Sequence, residues 1–460
     1  MEKRYGLPTA ICMVVGIVIG SGIFFKTESV LTMTGGNVIA GVLSILIMGL
    51  LMMFCAYAFS ILSQKYEKIN GVVDYAEAVC GPKYAYYLGW FMTFVYTPNI
   101  AGVLCWVSAR YIGALFGFGA TSGEVLAIAC FILVAGAFMN GIAPKLAGKL
   151  QVSTTVIKLI PLLLMAVVGT AAGLANGQLM QNITAEPSAD VTPMGGLTAS
   201  IVSLAFAFEG WILATSINAE LKDAKKTLPR ALILGSIVIV AVFVLYYMGI
   251  CGAVSVEELT AADGGAALAF KKLFGGVFGT LLTVFIAISC LGTTNGVLIA
   301  NSRGMYSLAA RGNGPKPKFF ATIDETSKMP VNSAFMGAVL AAFWLLYFYG
   351  ANLSTGWFGL FNADSSELVI VALYGMYIPV FLKMYKDKSL STAKRMIVPT
   401  LAILSCLVLL CCAVYAHGIV KYQAAAAEGK FSFPVLFFLI ITLAVMFAGK
   451  FFYRPAEENT

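Results

Sequence analysis

Charge is scarce in this chain. Asp, Glu, Lys and Arg make up only 11% of its 460 residues, where a soluble protein keeps about a quarter. So few charges cannot cover a water-facing surface, and an ordinary soluble globular protein is excluded. Histidine is almost missing: His417 stands alone, at an expected helix end. A single histidine cannot build a metal centre, and neither His-Glu-x-x-His nor Gly-x-Ser-x-Gly occurs. An intramembrane enzyme would need a nucleophile–base pair or a metal cluster, so that class is set aside. The ten cysteines follow no metal or disulfide spacing. Most lie in apolar runs (Cys55, Cys130, Cys290, Cys406, Cys411, Cys412) and read as small buried hydrophobes. No Gly-x-x-x-x-Gly-Lys-Ser/Thr phosphate loop is found, so nothing points to nucleotide hydrolysis. No cofactor and no bound metal is expected.

What is abundant is apolar sequence: 60% of the residues are hydrophobic and mean hydropathy is +0.88. Lipid must be the solvent for most of the exterior. A hydrocarbon core about 30 Å thick needs ~20 apolar residues per helix. Runs near 8–32, 38–63, 84–114, 123–140, 150–174, 193–219, 231–254, 275–308, 331–350, 357–382, 396–417 and 432–453 predict an all-α polytopic membrane protein of about twelve transmembrane helices. The third and eighth runs exceed a perpendicular crossing and predict tilt. The first span follows the N-terminal residues without a clean cleavage pattern and is expected to be retained. Residues 1–460 read as one transmembrane domain. Two loops stand out on the outer side: a short polar one at about 174–192, and one at 264–274 expected to hold a small helix.

The net charge of +8 invites a nucleic-acid partner, but the positive charge lies in short loops, which makes it a topology signal. With a cytoplasmic N-terminus, twenty-three of the thirty basic residues fall inside. Six lie outside, Lys26 and Arg110 among them, and Lys158 falls within a span. This asymmetry places both termini in the cytoplasm.

Two spans carry residues unsuited to a continuous helix. The first contains Gly16-Ile17-Val18-Ile19-Gly20-Ser21-Gly22-Ile23-Phe24, and each mid-helix Gly loses up to ~1 kcal/mol against Ala. A close helix–helix contact of small residues is one reading. The sharper reading is a broken helix whose freed N–H groups and positive half-helix end suit a carboxylate. The sixth span contains Phe206-Ala207-Phe208-Glu209-Gly210-Trp211, again a poor continuous helix. Breaks at matching positions of two five-helix halves point to a site between inverted repeats.

These segments resemble the amino acid–polyamine–organocation transporter superfamily, and in particular bacterial relatives of the L-type amino acid transporters. The likeness extends to Glu220, to Lys225-Lys226-Thr227-Leu228-Pro229-Arg230-Ala231, and to Ser302-Arg303-Gly304-Met305-Tyr306-Ser307-Leu308-Ala309-Ala310-Arg311-Gly312. It implies a LeuT-like fold, a 5+5 inverted repeat (about 8–174 and 193–382) with spans 1 and 6 discontinuous, plus two C-terminal helices (about 396–453). It also implies roles. Gly20, Ser21 and Gly22 would donate to a substrate carboxylate, while the carbonyls of Val18, Phe206 and Glu209 would accept from its ammonium. Phe206 would gate the site and Trp211 line or buttress it. The eukaryotic relatives join a glycoprotein through a cysteine after span three. Residues 113–123 have none, so no disulfide-linked heavy-chain partner is expected.

Lys158, in Val156-Ile157-Lys158-Leu159-Ile160-Pro161, reads either as a lysine snorkelling to the cytoplasm or as a functional cation, since charge at that depth costs at least ~2.5 kcal/mol. The resemblance places its ammonium against the unwound first span, where sodium-coupled relatives hold a cation, and implies sodium-independent transport. Glu209 departs from the family pattern and opens the alternative of cationic substrates. Asp364 and Glu367, three apart and expected inside span ten, are pathway candidates or a structural cluster. Pro98 and Pro161 should kink spans three and five, and Asn99 could hydrogen-bond across the bundle. The competing functions are an amino acid exchanger or proton-coupled carrier, a carrier of cationic amino acids or polyamines, a channel, and a nutrient sensor. Isolated helix breaks suit an occluded carrier site better than a pore. A bacterial plasma membrane is the expected location.

Overall fold

A computed structural model describes residues 6–66, 71–143, 146, 154, 157–214, 223–262, 265–353 and 356–455. Among them every regular element is helical. In chain order these are α1 (Leu7–Val18), α2 (Ser21–Met33), α3 (Val38–Lys65), α4 (Val72–Cys80), α5 (Pro82–Leu115), α6 (Gly123–Ile142), α7 (Leu159–Ala175), α8 (Gln178–Thr184), α9 (Pro193–Ala207), α10 (Trp211–Ala214), α11 (Ala224–Ala253), α12 (Val256–Ala261), α13 (Gly265–Phe274), α14 (Gly276–Asn301), α15 (Gly304–Ala309), α16 (Pro317–Phe320), α17 (Val331–Leu353), α18 (Ser365–Met384), α19 (Thr392–Ala427) and α20 (Pro434–Phe452). Nine helices among the described residues are long and apolar enough to cross a membrane. The number rises to eleven if two bent pairs, α1–α2 and α7–α8, each count as one span. The apolar α9 adds 15 residues. The protein is an all-α multi-pass membrane protein. Glu220 and several basic residues used for orientation (Lys3, Arg4, Lys68, Lys145, Lys149, Lys222) lie outside the described residues.

Local chemistry sets the helix starts. Asn37 caps α3 by accepting from the Ala40 N–H at 2.9 Å, and Thr192 caps α9 by accepting from Gly195 at 3.2 Å. Proline occupies the first turn of α1, α5, α9 and α20, where its missing N–H has no helical partner to lose.

Two boundaries differ from expectation. Span ten starts at Ser365, not near 357. Gly356 and Gly359 adopt positive φ (79° and 57°), and the Asn362 side chain accepts from Phe358 N–H at 3.1 Å while donating to the Gly359 carbonyl at 2.6 Å. These turns win over the apolar Trp357, Phe358, Leu360 and Phe361, which are left exposed. The eleventh span runs on to Ala427. His417 therefore sits inside it, in a π-helical turn (Tyr415–Val420), and not at a helix end. The expected small outer helix is present as α13.

The described chain clusters into two compact units. The first takes residues 1–75, 158–286 and 370–429. Its α7 and α11 touch backbone to backbone: a Cβ on Gly173 would stand 2.3 Å from Gly252 Cα, and one on Gly249 only 2.1 Å from the Met165 carbonyl. This is small-residue packing of the membrane kind. At its edge the Lys65 ammonium, closing α3, pairs with Asp387 in the loop after α18.

The second unit takes residues 76–157, 287–369 and 430–460. Its α5 and α17 approach equally closely, with a Gly102 Cβ 2.8 Å from Leu345 N. Pro98 lacks the N–H that would bond the Phe94 carbonyl one turn earlier. The chain opens a π-helical turn there (Met92–Tyr96), and Trp344 on α17 donates its indole N–H to Phe94 O at 2.9 Å. The proline's backbone defect is thus satisfied from a neighbouring helix. A polar ladder joins α5, α6 and α14: Ser108 and Thr294 hydroxyls at 2.9 Å, and Asn140 Nδ2 to Asn295 Oδ1 at 3.1 Å.

Candidate functional site

The first break lies where the glycines predict it. α1 ends at Val18, Ile19 is extended (φ −68°, ψ 103°) and Gly20 is extended (φ −139°, ψ −152°) before α2 opens at Ser21. The two segments diverge by 56°. The first turn of a helix leaves its N–H groups without intrahelical acceptors, and no side chain caps α2. Ser21 is wholly buried, and its hydroxyl has no hydrogen-bond partner among the described residues. This end of α2 is a buried, uncapped set of donors carrying a positive half-helix dipole.

The second break follows α9. Phe208 N–H still reaches the Leu204 carbonyl at 2.9 Å, and Glu209 N–H reaches back to Phe206 O at 3.3 Å. Gly210 then takes φ +107°, a conformation open to glycine, and α10 restarts at Trp211. The two breaks abut. A Cβ added to Gly22 would stand 2.7 Å from Ala207 Cα and 3.2 Å from the Phe206 carbonyl. Only a glycine lets the donor-rich start of α2 rest on the acceptor-rich end of α9.

Lys158 precedes α7 and is buried. Its ammonium donates to the Gly16 carbonyl. Because α1 ends two residues later, Gly16 is among its last carbonyls, which have no N–H partner within the helix. The lysine puts a fixed positive charge on the negative end of α1.

Trp211 is buried and donates its indole N–H to the Tyr374 hydroxyl at 3.1 Å. Its ring packs on Phe59 (5.8 Å) and Tyr377 (6.0 Å). This locks α10 to α3 and α18. Glu209 is half-buried and lies in the neighbourhood of Cys55, Tyr374 and Tyr377. Sequence reasoning singled out neither tyrosine, because nothing local distinguishes them from other membrane aromatics. Phe206 meets Phe25 edge-on at 6.2 Å.

Lys26 was assigned to an outer segment on charge alone. The structure places it in the second turn of α2, only 2% exposed, with its ammonium 4.9 Å from the Phe25 ring and 5.5 Å from that of Phe206. The signal was available: helical continuation from Ser21 puts Lys26 five residues along a buried helix.

Val18, Gly20, Ser21, Gly22, Lys158, Phe206, Glu209 and Trp211 all belong to the first unit. Asn99, Asp364 and Glu367 belong to the second. Asn99 is wholly buried, and neither amide atom has a partner among the described residues. Asp364 accepts from Ser366 N–H at 2.9 Å and from Asn352 at 3.2 Å, which caps α18. Glu367 lies wholly buried in its first turn.

Two interrupted apolar helices meeting within a multi-pass helical protein define a membrane transporter of the LeuT-like fold. The fold is matched over 90% of this chain and 100% of the other by MhsT, solved in complex with L-phenylalanine, with a TM-score of 0.57 at 14% identity. Residues 5–451 match the family model described as amino acid permease. The chain belongs to that family, within the amino acid–polyamine–organocation superfamily. It is 27% identical over 387 residues to the serine/threonine exchanger SteT of Bacillus subtilis, covering 84% of this chain and 83% of SteT. It is 24% identical to the human cystine/glutamate transporter, covering 69% and 63%. It is 27% identical to the mouse Asc-type amino acid transporter 1, covering 72% and 62%. The chain thus spans just under two thirds of the length of these two mammalian relatives.

Proposed function

We propose that this protein is a sodium-independent secondary transporter of amino acids, working by exchange or proton coupling with alternating access. The observation that carries the reading is the junction of the two breaks. The uncapped N–H groups of Ser21 and Gly22 and the Ser21 hydroxyl can bind an α-carboxylate. The carbonyls of Val18, Phe206 and Glu209 supply the complementary acceptors for an α-ammonium. Both ends of a zwitterion are thereby addressed by backbone groups and the Ser21 hydroxyl, which leaves the substrate's side chain to be read elsewhere. Phe206 closes the site and Trp211 supports the second break.

Lys158 supports sodium independence, because a tethered ammonium on the α1 terminus does what a bound cation would do. SteT's description as an exchanger favours obligatory exchange. Glu209 favours a second reading, transport of cationic amino acids or polyamines such as lysine, ornithine or putrescine. The basic-residue asymmetry supports both termini in the cytoplasm, the apolar composition supports lipid as the surrounding solvent, and the lack of cysteine in residues 113–123 together with the short loops supports a bacterial inner membrane and no disulfide-linked heavy chain. The repeat division (about 8–174 and 193–382, with 396–453 added) fits the two matched breaks.

The test is counterflow in proteoliposomes preloaded with unlabelled amino acid. Labelled substrate should enter faster from trans-loaded vesicles, and replacing sodium with potassium should leave the rate unchanged. Uptake that collapses without sodium would remove Lys158 from its assigned role. Uptake indifferent to trans substrate would count against exchange.

A further inference from the structure

The turn between α18 and α19 concentrates positive charge. Residues 383–395 hold Lys383, Lys386, Lys388, Lys394 and Arg395 against a single acid, Asp387. That acid is engaged elsewhere. It pairs with Lys65 at the end of α3 and accepts from the Ser389 N–H at 3.1 Å and the Ser389 hydroxyl at 2.6 Å. The four lysines of the turn are exposed and Arg395 is half-buried. The Arg395 Nε is shielded from solvent and has no hydrogen-bond partner among the described residues.

The turn is held in shape. Lys65 also donates to the Ser389 hydroxyl at 3.0 Å. The Tyr385 and Thr400 hydroxyls meet at 2.8 Å, which sets the end of α18 beside the first turns of α19. No side chain caps α19 and no acid lies in its first turn, so its N–H groups add to the field of Lys394 and Arg395. A guanidinium presents paired donors that match a phosphate. Polarity changes abruptly beyond these bases. Leu382 precedes Lys383, and Met396 and Ile397 follow Arg395; all three are apolar and exposed. Ile397, Leu404, Leu407 and Val414 continue as an exposed apolar stripe on one face of α19, at helical spacing. Basic charge alone is a topology signal. Basic charge fixed at the head of an exposed apolar stripe complements a molecule with an anionic head and hydrocarbon tails.

We infer that this turn binds an anionic phospholipid. Lys388, Lys394 and Arg395 hold the phosphate, and the acyl chains lie along Ile397, Leu404 and Leu407. The site lies apart from the two helix breaks and does not depend on what the protein transports.

The test uses the full chain purified in detergent. Native mass spectrometry counts the lipid retained from mixed micelles of equal dioleoyl phosphatidylglycerol and dioleoyl phosphatidylcholine. One variant combines Lys388→Gln, Lys394→Gln and Arg395→Gln. A second, charge-matched variant combines Lys316→Gln, Lys318→Gln and Lys328→Gln. Each Lys or Arg near a membrane surface is worth roughly fivefold in affinity for anionic lipid. The wild type should therefore retain phosphatidylglycerol at least about tenfold over phosphatidylcholine, and the first variant should lose at least about tenfold of that preference. The charge-matched variant should keep it. A wild type that retains both lipids equally overturns the inference, and this arm needs no variant to fold. Equal loss in the two variants also overturns it, since that is diffuse attraction to a basic surface. Displacement of the lipid by millimolar inorganic phosphate overturns it in favour of a site for a free anion. Binding is read without transport, so each of these failures leaves the transporter reading untouched.

Discussion

Replacing Gly22 with alanine adds one methyl group at the junction of the two breaks. That Cβ would lie 2.7 Å from Ala207 Cα and 3.2 Å from the Phe206 carbonyl, where ordinary contact begins near 3.4 Å. The first clash is with backbone, so no flexible side chain can swing aside. The start of α2 and the end of α9 must separate by about 0.7 Å or more to restore contact distance. Overpacking of this size costs ~1–3 kcal/mol. A misplacement approaching 1 Å in groups that must converge on one small molecule lowers turnover by about 100-fold. The expected result is a modest fall in Tm and loss of nearly all exchange. The control is Gly252→Ala, whose Cβ would meet Gly169 O at 2.7 Å and Gly173 Cα at 3.0 Å. It should lower Tm comparably, yet the folded fraction should bind substrate within a few-fold of wild type. Tm and binding affinity are read on the same detergent-purified samples, and exchange in proteoliposomes normalised to inserted protein. If Gly22→Ala exchanges substrate at the wild-type rate and KM, the junction is not the binding site.

Three further outcomes follow from particular contacts. Lys158→Met leaves the Gly16 carbonyl without its ammonium, a loss of ~1–3 kcal/mol, and should slow exchange at least about tenfold; a rate within twofold of wild type speaks against a coupling role. Trp344→Phe keeps an aromatic ring but removes the donor to Phe94 O, so Tm should fall by the equivalent of ~1–3 kcal/mol, and an unchanged Tm would mean the Pro98 defect is satisfied otherwise. Burial opposes ionisation of Asp387, but the Lys65 ammonium and the Ser389 hydroxyl and N–H outweigh it and hold the carboxyl below its usual range. Such a group stabilises the fold above its unfolded pKa of about 3.9 and loses that contribution as pH falls through its lower folded value. Asp387→Asn should therefore cost up to ~1 kcal/mol at neutral pH, with the gap to wild type closing under acid; a gap independent of pH contradicts the pairing.

Both helix breaks were legible because they are written locally. Gly20-Ser21-Gly22 and Glu209-Gly210 are expensive in any continuous membrane helix, and their offset matched two repeats. Lys158 was legible for the same reason, as one charge in an apolar run. The start of span ten was misread because hydropathy scores Trp357, Phe358 and Phe361 as membrane residues, while turn chemistry at Gly356, Gly359 and Asn362 decides the backbone. Lys26 was misread because its partner Phe206 lies 180 residues away in the chain, and no periodicity reports such a contact. The same holds for Trp344 and Phe94. Long-range pairings were invisible, and they are what fix the side chains around the site.

The central claim is that backbone donors at Ser21 and Gly22 hold a carboxylate while carbonyls at the opposing break hold an ammonium. The direct measurement is counterflow of a labelled amino acid against vesicles challenged with the free amino acid, its methyl ester and the corresponding amine. Competition by the free amino acid alone is the predicted result. Equal competition by the ester or the amine would show that no carboxylate is being held and would contradict the claim.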